Sequence, residues 1–205
     1  MSAPPALSLE RVVKKAGRKR VLDDVTASFE TGSLTLIRGR RGAGKTILAR
    51  LLAGQSMPDS GRVRRIGLPA PLVGSGMGFQ SGAPVARGLE LRASAHGLDY
   101  RRYRDAVLAF LKDPDVLDRD FGRLVGTDRG ALLYASAYLL PAPIYVIDGT
   151  PLPGDKPLRE ALTPLVDRAR SDAAVIWIAD DGVNPAAYRL DRELRLEAGA
   201  LTVAS

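Results

Sequence analysis

The stretch Gly39-Arg40-Arg41-Gly42-Ala43-Gly44-Lys45-Thr46 concentrates the chain's chemistry. Its spacing is G-x-x-x-x-G-K-[ST], which suits the binding of a nucleotide's phosphates. Gly39, Gly42 and Gly44 let the backbone turn through positive φ. Successive N–H groups can then point at phosphate oxygens. A helix opening near Gly44 adds the positive end of its dipole. The Lys45 ammonium can reach the β- and γ-phosphates, and the Thr46 hydroxyl can hold Mg²⁺. The competing reading is a glycine-rich turn with a solvated lysine. The flanks favour phosphate binding: apolar Leu34–Ile37 precedes the loop, and Ile47, Leu48, Leu51 and Leu52 follow at helical spacing.

The remaining pattern supplies elements that could hold such a loop. Residues 7–13 alternate like a half-buried strand, followed by a basic turn over 14–20 and strands over 21–29 and 33–37. The helix after the loop should end near Gly54, with a short strand over 62–66 beyond it. Residues 67–88 are rich in Gly, Pro and Ser, with Gln80 among them. Helical patterns occupy 89–96, 100–111 and about 130–140. The run Ile144-Tyr145-Val146-Ile147-Asp148 is an apolar strand ending in a carboxylate. A helix over 158–170 leads to a buried strand over 173–179, followed by Asp180 and Asp181, and 194–203 closes as a hairpin.

This order predicts an α/β fold, a P-loop NTPase core with nucleotide at the carboxyl ends of parallel strands. An N-terminal antiparallel β subdomain and a small helical subdomain complete it. The expected division is about 1–80 and 141–205 for the core and about 81–140 for the helical part. With 205 residues and 45% hydrophobic content, the chain can bury one core. It has no cysteine, so disulfides and thiolate metal sites are excluded. No apolar run is long enough to span a bilayer, and no secretory leader is expected. The net charge of +7 is concentrated in 11–20 and 62–65. Those clusters could meet an anionic partner or be a solvated face. Aromatic residues are 5% and not interleaved with them, so nucleic acid is not expected.

These residues resemble the nucleotide-binding subunit of an ABC transporter. The likeness rests on Leu36-Ile37-Arg38-Gly39, Gly42 to Thr46, Leu51-Leu52-Ala53-Gly54 and Pro58-Asp59-Ser60-Gly61-Arg62-Val63. Met77-Gly78-Phe79-Gln80 and Ala93 to Asp99 are most similar to the branch that exports capsular and other cell-surface polysaccharides. The resemblance implies ATP and Mg²⁺ as cofactors, with Gly39, Gly42, Ala43, Gly44, Lys45 and Thr46 around the phosphates. Thr46, Gln80 and Asp148 would serve the metal. Gln80 also matches the glutamine that faces the membrane subunit, and Gly154-Asp155 resembles the segment that crosses to the opposite subunit. The implied partners are a membrane-embedded permease and a second nucleotide-binding subunit, in a homodimer or heterodimer. The implied location is peripheral, on the cytoplasmic face of the inner membrane.

Several family motifs are missing. Gly149 stands where the family has the glutamate that polarises water, and a glycine cannot act as a base. Asp180 stands at the switch histidine, and the only histidine, His96, lies in the helical part. The signature segment falls on Leu124-Val125-Gly126-Thr127-Asp128, with Val125 for its serine and an acid, Asp128, at its end. Ala16 marks the place of the aromatic that stacks on adenine. The expectation is therefore an ATP-binding exporter subunit impaired in hydrolysis. The alternatives are an ATP-responsive binding or regulatory module that turns nothing over, and a P-loop kinase or small NTPase of another family.

Overall fold

The computed structural model describes residues 4–204, which form two compact units. The first takes the chain up to Leu72, Ala142–Pro151 and everything from Arg168 onward; the second takes Val73–Pro141 and Leu152–Asp167.

The first unit is built on two sheets. Strands β1 (Leu7–Ala16), β2 (Lys19–Phe29) and β4 (Ser60–Arg65) form an antiparallel sheet in the order β2-β1-β4. Alternation alone would turn the end of β1 outward, because Leu7 and Leu9 are odd-numbered and Val12 is even. A register shift between Leu9 and Val12, where Arg11 has φ 49°, restores the inward face, so all three side chains are buried. Gly61 is required opposite this irregularity: at φ 82°, a Cβ there would lie 2.2 Å from the Arg11 carbonyl oxygen. Further shifts carry β1 to Ala16, so the strand extends through residues whose composition reads as a basic turn. Asp59 steadies this end by accepting from the Lys14 ammonium and the Lys15 N–H.

The second sheet has the order β5-β6-β3-β7-β8. Strands β3 (Ser33–Arg38), β5 (Ile144–Asp148), β6 (Ala174–Ala179) and β7 (Arg192–Glu197) are parallel, and β8 (Ala200–Val203) turns back antiparallel on β7. Every residue of β6 and the first four of β5 are buried, as expected for continuous apolar runs inside a parallel sheet. Helix α1 (Lys45–Leu52) buries Leu48, Ala49, Leu51 and Leu52, and with the inner faces of both sheets it encloses one core.

The second unit is helical: α2 (Val85–Ala95), α3 (Tyr100–Leu108), two short 3₁₀ turns, α4 (Gly126–Tyr138) and the start of α5 (Lys156–Asp172). Composition places the start of α2 at Leu89, but the helix begins four residues earlier. Gly88 counts against a helix on propensity, yet the Phe79 ring occupies the space a side chain would need, its Cδ1 only 2.1 Å from where a Cβ would sit. Glycine is there for packing. Likewise α4 begins at Gly126 rather than near 130, with Val125 as an uncapped N-terminus. Asp155 starts α5, its carboxylate accepting from the Leu158 N–H at 3.1 Å. Among the described residues no helix is long and apolar enough to cross a membrane.

Candidate functional site

The phosphate-loop residues sit where β3 hands over to α1. Gly42 and Gly44 have φ of 83° and 102°, and Gly44 is the left-handed residue from which α1 starts. A side chain at Gly44 would also strike Val21, whose Cγ1 lies 2.4 Å from the Cβ position. Gly39 is equally confined, with a Cβ falling 2.8 Å from the Leu196 carbonyl oxygen. Contrary to the expectation of a positive φ, Gly39 thus answers only to the neighbouring strand; Gly42 answers to its backbone conformation, and Gly44 to both.

Strand order brings the other groups to the loop. Because β3 pairs with β6, and β6 with β5, the carboxyl ends of all three lie side by side. Asp148 ends β5 and accepts a 3.0 Å hydrogen bond from the Thr46 hydroxyl through Oδ2. Asp180 follows β6 directly, and its Oδ1 lies 2.7 Å from Lys45 Nζ. Lys45 also donates to the carbonyls of Gly39 and Arg40, each at 2.9 Å. The hydrogen bond and charge of Lys45, joined by the charge of Arg41, hold the Asp180 carboxyl below the usual carboxylate range.

An open cleft of about 490 Å³ lies over these groups. It is lined by Lys19, Val21, Arg41, Gly42, Gly44, Lys45, Thr46, Ile47, Asp148 and Asp180. Lys19 and Val21 are not legible as site residues from sequence, because they belong to β2, whose register against the loop is a tertiary fact. Ala16 is exposed, paired with Lys19 at the end of the β1–β2 hairpin. Gln80 is exposed in the second unit, where its carbonyl accepts from the Ala83 N–H at 3.1 Å.

Thr46 and Asp148 fit a magnesium ion. Both are hard oxygen donors already in contact, and Mg²⁺ commonly takes only one or two protein ligands, completing its shell with water and phosphate. Among the described residues no group of three or more His, Cys, Asp or Glu could form an all-protein metal cage.

The segment after β6 is held firmly. Arg38 donates to the carbonyls of Asp181 and Val183 at 3.0 and 2.6 Å and pairs with Glu193 at 2.6 Å. Arg195 pairs with Asp181 at 3.2 Å. Gly149, next to Asp148, is exposed at φ 119°, a conformation that L side chains rarely adopt. Its N–H donates to the Ile178 carbonyl at 2.9 Å, and its carbonyl accepts from Trp177 Nε1 at 2.6 Å.

In the second unit, Val125 is 79% exposed at the start of α4. Asp128 is directed to local structure, accepting from the Lys112 N–H at 3.1 Å. His96 has its pKa pushed down, by burial first and by the charge of Arg92 second.

Residues 22–150 match the family model described as ABC transporter. The chain belongs to the ABC transporter family. This ABC transporter ATP-binding domain is similar to phosphonates import ATP-binding protein PhnC 1 of Natronomonas pharaonis, with 40% identity over 79 residues. That match takes in 38% of this chain and 34% of the relative, so it spans about a third of the relative's length. Among solved structures, the ATP binding subunit of an ABC transporter superposes with a TM-score of 0.78 at 20% identity, covering 97% of this chain and 90% of the other. A dimeric bacterial ABC transporter cassette gives 0.76 at 16% identity, covering 95% and 96%. A bacterial Atm1-family ABC exporter with ATP bound gives 0.76 at 20% identity, covering 98% of this chain and 38% of that one. At these identities the structural likeness establishes the ABC ATPase fold.

Proposed function

We propose that this protein is the ATP-binding subunit of a membrane transporter, binding Mg-nucleotide in the P-loop cleft and hydrolysing it poorly or not at all. The observation that carries the binding half is the convergence of Lys45 with the Thr46–Asp148 pair at the ends of adjacent parallel strands. When bound, the metal would neutralise phosphate charge. The chain's own contribution is a ring of backbone N–H groups, an ammonium and two oxygen donors.

Impaired turnover follows from what flanks that ring. Phosphoryl transfer needs the phosphates held and a residue that orients the attacking water. Gly149 has no side chain for this purpose, and Asp180 is an acceptor of the wrong charge where the family has a histidine. Val125 presents an apolar surface where the signature serine would stand. Pairing with a competent second ATPase and docking to a permease through the region of Gln80 are parts of the same reading. Binding without turnover also suits a regulatory module, and the two are separated by whether a permease co-purifies.

For the cargo, the resemblance of Met77–Gln80 and Ala93–Asp99 supports export of surface polysaccharide. The likeness to a phosphonate importer supports a second reading, uptake of an anionic solute.

Calorimetric titration with Mg-ATP tests the nucleotide reading, using Lys45→Ala as the comparison. The wild-type chain is expected to bind in the micromolar range, and Lys45→Ala to bind about tenfold more weakly or worse, given the strength of charge-assisted hydrogen bonds. Equal binding by both forms would remove Lys45 from the site.

A further inference from the structure

We propose that Asp180 sets which nucleotide this site prefers: its carboxylate on Lys45 makes the cleft favour a nucleoside diphosphate over a triphosphate. The inference rests on the nucleotide-binding reading above and adds a residue that the family resemblance counts only as a loss.

A lysine ammonium has three protons to donate. All three have partners here: the carbonyls of Gly39 and Arg40 at 2.9 Å each, and Asp180 Oδ1 at 2.7 Å. The two carbonyls belong to the loop itself and fix where the ammonium points. The third partner is the one a phosphate would have to displace. Asp180 is no chance neighbour, even though its side chain is 72% exposed. The turn that carries it is closed by the Val183 N–H on the Asp180 carbonyl at 3.2 Å. Arg38 grips the same turn through the carbonyls of Asp181 and Val183, and Arg195 pairs with Asp181. The carboxylate is therefore presented to Lys45 by a braced loop.

The phosphates call on different parts of such a site. Backbone N–H groups cradle the α- and β-phosphates, whereas the lysine reaches the β- and γ-phosphates. A diphosphate can use the cradle for both its phosphates while Asp180 remains on Lys45, giving up only the lysine's contact with the β-phosphate. A triphosphate must break that ion pair, and its γ-phosphate then lies beside a carboxylate held in place by its own loop. Like charges at such distances repel even through a partly aqueous medium. Arg41, also in the cleft, relieves part of this repulsion. Solvent exposure at Asp180 limits the effect to a modest discrimination rather than exclusion.

The test is calorimetric titration of Mg-ADP and Mg-ATP into the wild-type chain, Asp180→Asn and Asp181→Asn. The asparagine at 180 keeps an acceptor for Lys45 and removes the charge, and its exposed position leaves folding undisturbed. The wild type should bind Mg-ADP about tenfold more tightly than Mg-ATP, as expected for one screened like-charge contact. Asp180→Asn should raise Mg-ATP affinity by about the same factor and change Mg-ADP less than about threefold. Asp181→Asn should keep the wild-type ratio, since its carboxylate faces Arg195 and the turn remains held by Arg38 on the backbone carbonyls of residues 181 and 183. Equal or tighter Mg-ATP binding by the wild type, or an unchanged ratio in Asp180→Asn, would overturn the proposal and leave nucleotide binding standing. Failure of both nucleotides to bind any of the three forms would overturn the nucleotide reading, and this inference with it.

Discussion

Replacing Arg92 by methionine is expected to lower the stability of the protein by about 3 kcal/mol, read as a shift in the denaturant midpoint at unchanged slope. The guanidinium is buried inside the helical unit, and among the described residues no carboxylate pairs with it. It is satisfied instead by backbone, hydroxyl and ring. Arg92 Nε and Nη2 donate to the Met77 carbonyl at 3.2 and 2.6 Å, Nη2 also to the Ser75 carbonyl at 3.3 Å, and Nη1 to the Ser136 hydroxyl at 2.6 Å. The Phe79 ring lies 4.5 Å from the guanidinium carbon and stacks on Phe121 at 4.8 Å. Burial pulls the group down to about 10, so it remains a cation at neutral pH.

Two opposing magnitudes decide the outcome. Exchanging a whole buried polar cluster for apolar groups can be neutral or stabilising. Here only the donor is removed, and the carbonyls of Ser75 and Met77 stay behind without it, at about 1–3 kcal/mol for each unpaired group. Methionine recovers the packing of the aliphatic stem, and the net effect is a loss. The loop running from Ser75 to Gln80 should also exchange its amide protons faster in the variant. An unchanged midpoint would show that these carbonyls find water instead.

The second large effect concerns Gly149→Glu, which on sequence grounds restores a missing base. It is expected to destabilise the protein by about 2 kcal/mol and to leave ATP turnover at background. The obstacle is not space, because nothing lies within 4 Å of a Cβ at this position. The obstacle is the backbone. At φ 119° an L side chain is strained, and relaxing the peptide means giving up the bond from the Gly149 N–H to Ile178 or the one from Trp177 to the Gly149 carbonyl. The new carboxylate would then leave from a peptide oriented for glycine. Turnover well above the Gly149 protein at an unshifted denaturation midpoint would refute this account.

Legibility in the sequence followed the kind of constraint at each place. The phosphate loop is readable because its glycines, Lys45 and Thr46 are needed there as residue types, whereas the packing of Leu196 on Gly39 and of Val21 on Gly44 leaves no mark in the sequence. Strands β5 and β6 were readable because burial on both faces leaves an unbroken apolar run. The first turn of α2 was hidden because Gly88 lowers helix propensity, while its reason for being glycine is the Phe79 ring. The far end of β1 was hidden because its bulges break the alternation by which strands are recognised. Within the site, Asp180 could be aligned but not interpreted. Its contact with Lys45 depends on β6 lying between β5 and β3, and that order is a property of the folded sheet. Asp128 shows the converse. Its charge suggests repulsion of a phosphate, and its geometry gives it a local partner, the Lys112 N–H.

The bond between the Trp177 indole and the Gly149 carbonyl has one more consequence. Trp177 is the only tryptophan in the chain, and its ring meets Tyr188 edge-on at 4.9 Å. All ultraviolet emission excited selectively from indole therefore originates one peptide away from Asp148. On the proposed reading, a nucleotide's metal held by Asp148 would act on the end of β5 beside this indole, and binding should then shift the emission of the single tryptophan with no label attached.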